Sequence, residues 1–332
     1  MNWIADASGV RRPWLTAAGW RALFRDIPIV PLIGMLALLV ILSELVRPGI
    51  VSPNWAGVML RAAIPLAILA ACQTLTMLTA GIDLSVGAVA SMSGFVVATL
   101  AGGPGLGAGI AVALTAAAAA GLVTGIGVGV FRVHPLIMTL GMSLVVLGLA
   151  NVWQLQMVQT GAGVPGEFRW LGAGMFAGMV PNSMLLFVPL AALILYGLRR
   201  TGYGRLLYAI GDNPVAARLS GARAWQVLTV LYVISAVLAG IAGFLYSGLT
   251  NTASVTLADS QVLPSVAAAV IGGTSILGGR GGFGGTIVGA LILAVIASLL
   301  SSLGYPEALR QILFGAIIVF VAAAYARVTS ES

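Results

Sequence analysis

The chain has 332 residues, of which 60% are hydrophobic and only 8% charged, with a mean hydropathy of +1.07. A soluble core does not need that composition, whereas a protein crossing a bilayer several times does, because lipid favours apolar surface and penalises unpaired charge. The net charge of +7 is carried by sixteen Arg and no Lys; its distribution follows a membrane topology, so it does not point to a nucleic-acid partner.

Ten apolar stretches follow one another, at about 27–46, 55–78, 84–101, 105–130, 135–155, 181–198, 225–248, 262–278, 284–303 and 308–326. They predict an all-α, polytopic membrane bundle of about ten transmembrane helices, forming a single domain over 1–332. The third and eighth stretches are short or irregular. The Arg-bearing start resembles a leader, but its apolar run is long and lacks a small-residue cleavage site. An uncleaved first helix is expected. Alternating the spans from a cytoplasmic N-terminus puts twelve Arg inside (11, 12, 21, 25, 132, 199, 200, 205, 218, 223, 280 and 327). Four remain outside (47, 61, 169 and 310). That bias favours both termini in the cytoplasm, although re-entrant segments could replace two of the spans. Spans two to five then start outside and spans seven to ten start inside, an arrangement that would suit an inverted repeat.

Between the second and third stretches stands Gly81-Ile82-Asp83-Leu84-Ser85-Val86-Gly87. Asp83 is the only acid between Glu44 and Glu167. It is placed to cap a helix beginning at Leu84 or Ser85, with Gly81 allowing the sharp turn before it. The same segment, with Ser85 and Gly87, could also serve as a hinge or pore-lining element. Gln73, Thr74 and Met77 in the second span are candidates to face a pore. Asn151 and Gln154, three apart near the end of the fifth span, are rival solute contacts, with Trp153 as an interface anchor. His134, before Pro135, reads as an interfacial residue. The Gly-rich stretch 156–180 is a lid or docking loop, or a plain long connection.

The loop after the sixth span contains Asp212, Asn213, Pro214, Val215, Ala216, Ala217, Arg218 and, three residues on, Gly221. Asp212 or Asn213 caps a short helix, Pro214 fits its first turn and Gly221 ends it. The small Ala216 and Ala217 leave a knob able to enter a partner's groove, or the helix lies on the bilayer surface. The run Gly278, Gly279, Arg280, Gly281 to Gly285 lacks the Gly-Lys-Ser/Thr ending of a phosphate loop. Gly281, Gly285 and Gly289, and likewise Gly121, Gly125 and Gly129, are spaced by four and suit close helix packing. Paired carboxylates, a Cys/His pair and metal-ligand spacing are absent from the sequence; Cys72 and His134 are each the only residue of their type. Covalent catalysis and intrinsic ATPase activity are not expected.

GIDLSVG at 81–87, LYAIGDNPVAARLSG at 207–221 and AAAVIGGTSILGGRGG at 267–282 together resemble the ribose and simple-sugar permeases of bacterial ABC importers, within a wider group that includes branched-chain amino-acid permeases. The likeness runs from about residue 55 to 326. It implies a multi-pass permease of the bacterial inner membrane that carries a small sugar (a pentose, a hexose or a related polyol) inward. It also implies a dimer with a second copy or a related permease. Cytoplasmic ABC ATPase subunits would carry ATP and Mg, and a periplasmic or lipid-tethered sugar-binding protein would deliver the solute. The short helix from Asn213 corresponds to the family's coupling helix, with Val215 where the family's pattern has Glu. A branched-chain amino acid or nucleoside permease is the nearest alternative, and a secondary transporter a more distant one.

Overall fold

The computed structural model describes residues 29–157 and 163–330. Arg11, Arg12, Arg21 and Arg25 lie outside the described residues. Thirteen α-helices are present among those described: α1 (Ile29–Val46), α2 (Pro53–Met77), α3 (Val86–Leu100), α4 (Leu106–Gly129), α5 (Pro135–Met157), α6 (Gly166–Ala173), α7 (Met184–Arg200), α8 (Gly202–Asp212), α9 (Pro214–Leu219), α10 (Ala224–Thr250), α11 (Val262–Ile271), α12 (Phe283–Ser302) and α13 (Glu307–Ser330). A two-residue antiparallel hairpin, β1 (Met175–Phe176) and β2 (Val180–Pro181), follows α6.

Every predicted stretch carries a helix. Among the described residues, six helices are long and apolar enough to cross a membrane: α1, α2, α4, α5, α10 and α12. The pair α7 and α8, bent by 66° at Thr201, makes a seventh if taken as one span. The third and eighth stretches are short, as expected. The third forms the 15-residue α3, and the eighth contracts to the 10-residue α11 followed by an irregular loop.

The core is built around α2 and α10. Apolar residues surround much of both helices, so neither has a wide solvent or lipid face. The packing has an exchange symmetry. α10 packs on α3 and α4, while α2 packs on α11 and α12. In the same way α3 meets α4 and α5, while α11 meets α12 and α13. Swapping the set α2–α5 with the set α10–α13 therefore returns these pairings, but not the packing of α4 on α5, which α12 and α13 do not match. By contrast, α4 and α5 present many large apolar side chains outward, among them Val123, Leu144, Leu149 and Leu155. That is the surface expected where lipid takes the place of water.

Glycine sets the closest approaches, as small residues do wherever helix backbones must meet. A Cβ at Gly121, Gly125 or Gly129 on α4 would stand 2.5 to 2.8 Å from backbone atoms of Tyr232, Thr229 and Trp225 on α10. Gly243 on α10 sits against the Ala90 carbonyl of α3 in the same way. Gly285 and Gly289 bring α12 onto the backbone of Gly272 and Ala268. Gly281 differs from the expected series. It precedes α12, has φ +131° and packs against Thr274, so it serves the turn and not the helix face.

Gly243→Val should lower the melting temperature of the detergent-purified protein markedly, since overpacking a backbone contact costs about 1–3 kcal/mol or more. Gly148→Val, on α5 with nothing within 4 Å, should leave it unchanged.

Candidate functional site: a junction of three loops and an opposite cavity

Among the segments that leave helical geometry within the bundle are 78–85, 251–261 and 272–282. Their backbone groups need partners, because no water is at hand in a bilayer interior. The Gln73 side chain meets both polar groups of Asp83: its Oε1 accepts from the Asp83 amide at 3.2 Å, and its Nε2 donates to the Asp83 carbonyl at 2.8 Å. Thr139 of α5 donates to the Ile82 carbonyl at 3.2 Å. Thr74 of α2 shares a hydrogen bond of 2.7 Å with Thr286 of α12. Gln73, Thr74 and Met77 are thus fully buried and engaged inside the chain. The expectation that they face a pore is corrected: their face of α2 is turned towards α11, α12 and the 78–85 loop.

Asp83 is buried and held by hydroxyls. Its Oδ1 accepts from the Ser85 amide at 3.0 Å and the Ser85 hydroxyl at 2.6 Å, and its Oδ2 accepts from Ser235 of α10 at 2.8 Å. The expected cap is shifted. α3 begins at Val86, and Ser85 occupies the cap position with no side-chain cap bond of its own. Asp83 instead closes the turn before the helix and ties it to α10. The sharp turn is made by Ala80, with φ +60°, and not by Gly81. Gly81 is needed for space, since a Cβ there would lie 2.9 Å from the Tyr232 hydroxyl. Gly87 likewise gives room to Val262 and Ala258 beside the start of α3.

On the loop between α8 and α10, Asn213 accepts at Oδ1 from the amides of Val215 and Ala216, both at 3.0 Å. It is the N-cap of α9, with Pro214 in the first turn. Gly221, φ +87°, follows the helix. Ala217 is buried, so the outward surface of α9 is not the Ala216–Ala217 knob expected. It is made by Val215, 56% exposed, and Leu219, 85% exposed, beside Ala216 and Arg218.

The structure brings these distant motifs together. The Gly279 amide donates to the Leu78 carbonyl at 3.0 Å. Gly211 packs its Cα against that same carbonyl and the Gly279 amide, with no room for a side chain. A Cβ on Gly279 would stand 3.0 Å from the Asp212 Cα, and one on Gly278 3.1 Å from the Ala80 amide. The ends of α2 and α8 and the glycine loop thus meet backbone to backbone, one residue away from α9. Arg280 lies at the exposed edge of this junction.

Asn151 and Gln154 are not part of any such cluster. Both are exposed on α5, and Asn151 donates to the Leu147 carbonyl of its own helix at 2.9 Å. Trp153 is not a free anchor, since its indole donates to Thr99 of α3 at 3.0 Å. Part of the predicted lid, 158–162, lies outside the described residues. The rest is packed down: Phe168 of α6 stacks on Phe244 of α10 at 5.0 Å, and Gly172 and Gly248 let the two backbones touch.

Sequence reasoning missed a cavity of about 610 Å³ at the far end of α2 from the junction. It lies between α2, α10, α11, α12 and α13 and includes Tyr246, Gln261, Ser298, Arg310 and Gln311. These residues are scattered over three helices and a loop, so no local motif marks them. No group of three or more His, Cys, Asp or Glu able to hold a metal occurs among the described residues.

Residues 56–322 match the family described as branched-chain amino acid transport system / permease component. The chain belongs to this permease family. Among individual relatives, it is 35% identical over 292 residues to the ribose import permease protein RbsC of Bacillus subtilis, covering 87% of this chain and 89% of that protein. It is 34% identical to the probable ABC transporter permease protein YphD of Escherichia coli, over 93% and 92% of the two chains. It is 31% identical to the fructose import permease protein FrcC of Rhizobium meliloti, over 77% and 73%. No solved structure matches the chain. As a permease of this family with several apolar helices, it is a multi-pass membrane protein.

Asp83→Leu should leave the Ser85 amide and the Ser235 hydroxyl without partners, at about 1–3 kcal/mol for each buried group. Asp83→Asn keeps an acceptor and should retain much of the stability. Thermal melting and membrane yield of the two variants are the measurements; equal values would show that the acceptor does not matter.

Proposed function

We propose that the chain is the membrane permease subunit of an ATP-binding-cassette importer that carries a small sugar inward. The observation that carries this reading is the 35% identity over 87% of the chain to a ribose import permease. The fructose import permease points the same way. The family description names branched-chain amino acids instead, and that solute class is the second reading.

In this proposal ten segments span the bacterial inner membrane, with both termini in the cytoplasm. α3 and α11 are then short, partly re-entrant spans. The exchange symmetry of the packing, together with opposite orientation of the two sets, supports an inverted repeat. The permease pairs with a second copy or a related permease. Two cytoplasmic ATPase subunits bind ATP and Mg and drive alternating access, and a periplasmic or lipid-tethered binding protein delivers the sugar.

The short helix α9 is the coupling element. Its outward side chains, Val215 and Leu219, enter the ATPase groove by shape, since no acid stands at the position where the family's pattern has Glu. Motion of α9 reaches the loops at 78–81 and 278–281 through the backbone contacts of Gly211 and Asp212.

Uptake into proteoliposomes tests the solute. The permease complex with its own ATPase and binding protein should accumulate a pentose or hexose only with ATP; uptake of a branched-chain amino acid in its place would select the second reading. Leu219→Glu should lower ATPase co-purification and transport by about tenfold without changing the permease's melting temperature, because it places a charge on an apolar contact. Full co-purification and full uptake would rule out α9 as the docking element.

A further inference from the structure

We propose that the cavity between α2, α10, α11, α12 and α13 is a subsite for a neutral, polyhydroxylated solute on its way through the permease. The inference rests on the sugar reading above and assigns it a place. The cavity stands at the end of the bundle opposite α9. Met59, on its wall, is eighteen residues from Met77, a rise of about 27 Å along α2. With α9 facing the ATPases, the cavity faces the side from which solute arrives.

Its volume of about 610 Å³ suits a small-molecule site. The lining combines two kinds of surface. Leu66, Leu293 and Phe314 give apolar walls, which suit the C–H faces of a sugar ring. Polar groups converge on the same space from separate elements, and several have bonding capacity to spare. Tyr246 and Gln261 meet only at 3.4 Å. Ser298 accepts from the Trp55 indole at 3.2 Å, which leaves its own proton free to donate. The Arg310 Nε is buried with no partner. A groove made for lipid tails would not collect hydroxyls, amides and a guanidinium. Here each can give or take a hydrogen bond, as a polyol requires.

The charge pattern narrows the ligand class. Arg310 is ion-paired with Glu307 one turn earlier, and no other charged side chain lines the cavity among the described residues. The described lining therefore carries no net charge and offers no unpaired counter-charge to an anion or cation. The weak, incomplete bonds suit a passing solute. A tight site would hold the sugar and slow its release.

The test uses the complete importer in proteoliposomes. Ser301→Cys places a thiol on the cavity rim, and this chain's only native cysteine, Cys72, is buried, so maleimide incorporated into the permease band reports the rim. With the sugar-loaded binding protein and ATP present, labelling should slow relative to the same mixture with unloaded binding protein. Gln261→Leu and Gln311→Leu should each lower sugar moved per ATP hydrolysed by about five-fold, the loss of one hydrogen bond. Each should also narrow the preference for the sugar over its deoxy analogues, while ATPase activity and melting temperature stay unchanged. A purely structural role would not shift that preference. Sugar uptake by the unaltered complex, with unchanged labelling and unchanged preference in both variants, would overturn the subsite alone. An unaltered complex that moves no sugar would overturn the subsite together with the sugar reading.

Discussion

Backbone released from a helix inside a bilayer has to find its hydrogen bonds within the protein, and this constraint organises the bundle. Gln73 closes on both polar groups of Asp83, Thr139 reaches the Ile82 carbonyl, and Ser91 accepts from the Ala258 amide at 2.8 Å. Each bond joins a broken segment to a neighbouring helix. The breaks at 78–85 and 251–261 are therefore fixed points of the packing and not slack. They shorten α3 and α11, which lets α2 and α10 run through the centre of the molecule.

Glycine supplies the other half of the arrangement. Where a side chain closes a broken segment, a missing side chain brings two backbones into contact. Gly211 against Leu78, Gly243 against Ala90 and Gly285 against Gly272 are three places where even a methyl group would collide with a main-chain atom. Hydrogen bonding and close approach thus act together: the glycines of the 207–221 and 267–282 motifs meet the end of α2 at one junction, while Asp83 of the 81–87 motif ties its own turn to α10.

Much of the fold was legible in the sequence. The apolar runs, their turns and the cap–Pro–Gly grammar around Asn213 are local signals, and the helices fall where those signals put them. The short third and eighth segments were legible for the same reason. The partners of polar residues were not. A helical period groups Gln73, Thr74 and Met77, but it does not tell whether that face meets a pore or the 78–85 loop of the same chain. Asn151 and Gln154 share a face, yet it is the outside of the bundle. Ala217 is small because it is buried, whereas small size alone reads equally well as an exposed knob. The cavity was illegible because its polar residues are set far apart in the chain and assembled only by tertiary packing.

Asn213 ends α8 and starts α9, acting as C-cap to the first and N-cap to the second. One residue is both terminus and origin, so no linker stands between the two helices to absorb displacement. A lever with such a joint behaves as a stiff crank: a push on the six-residue arm turns the eleven-residue arm with little lost motion. Lengthening the chain at that point by a single residue would keep every side chain of both helices and still remove the shared cap that fixes one against the other.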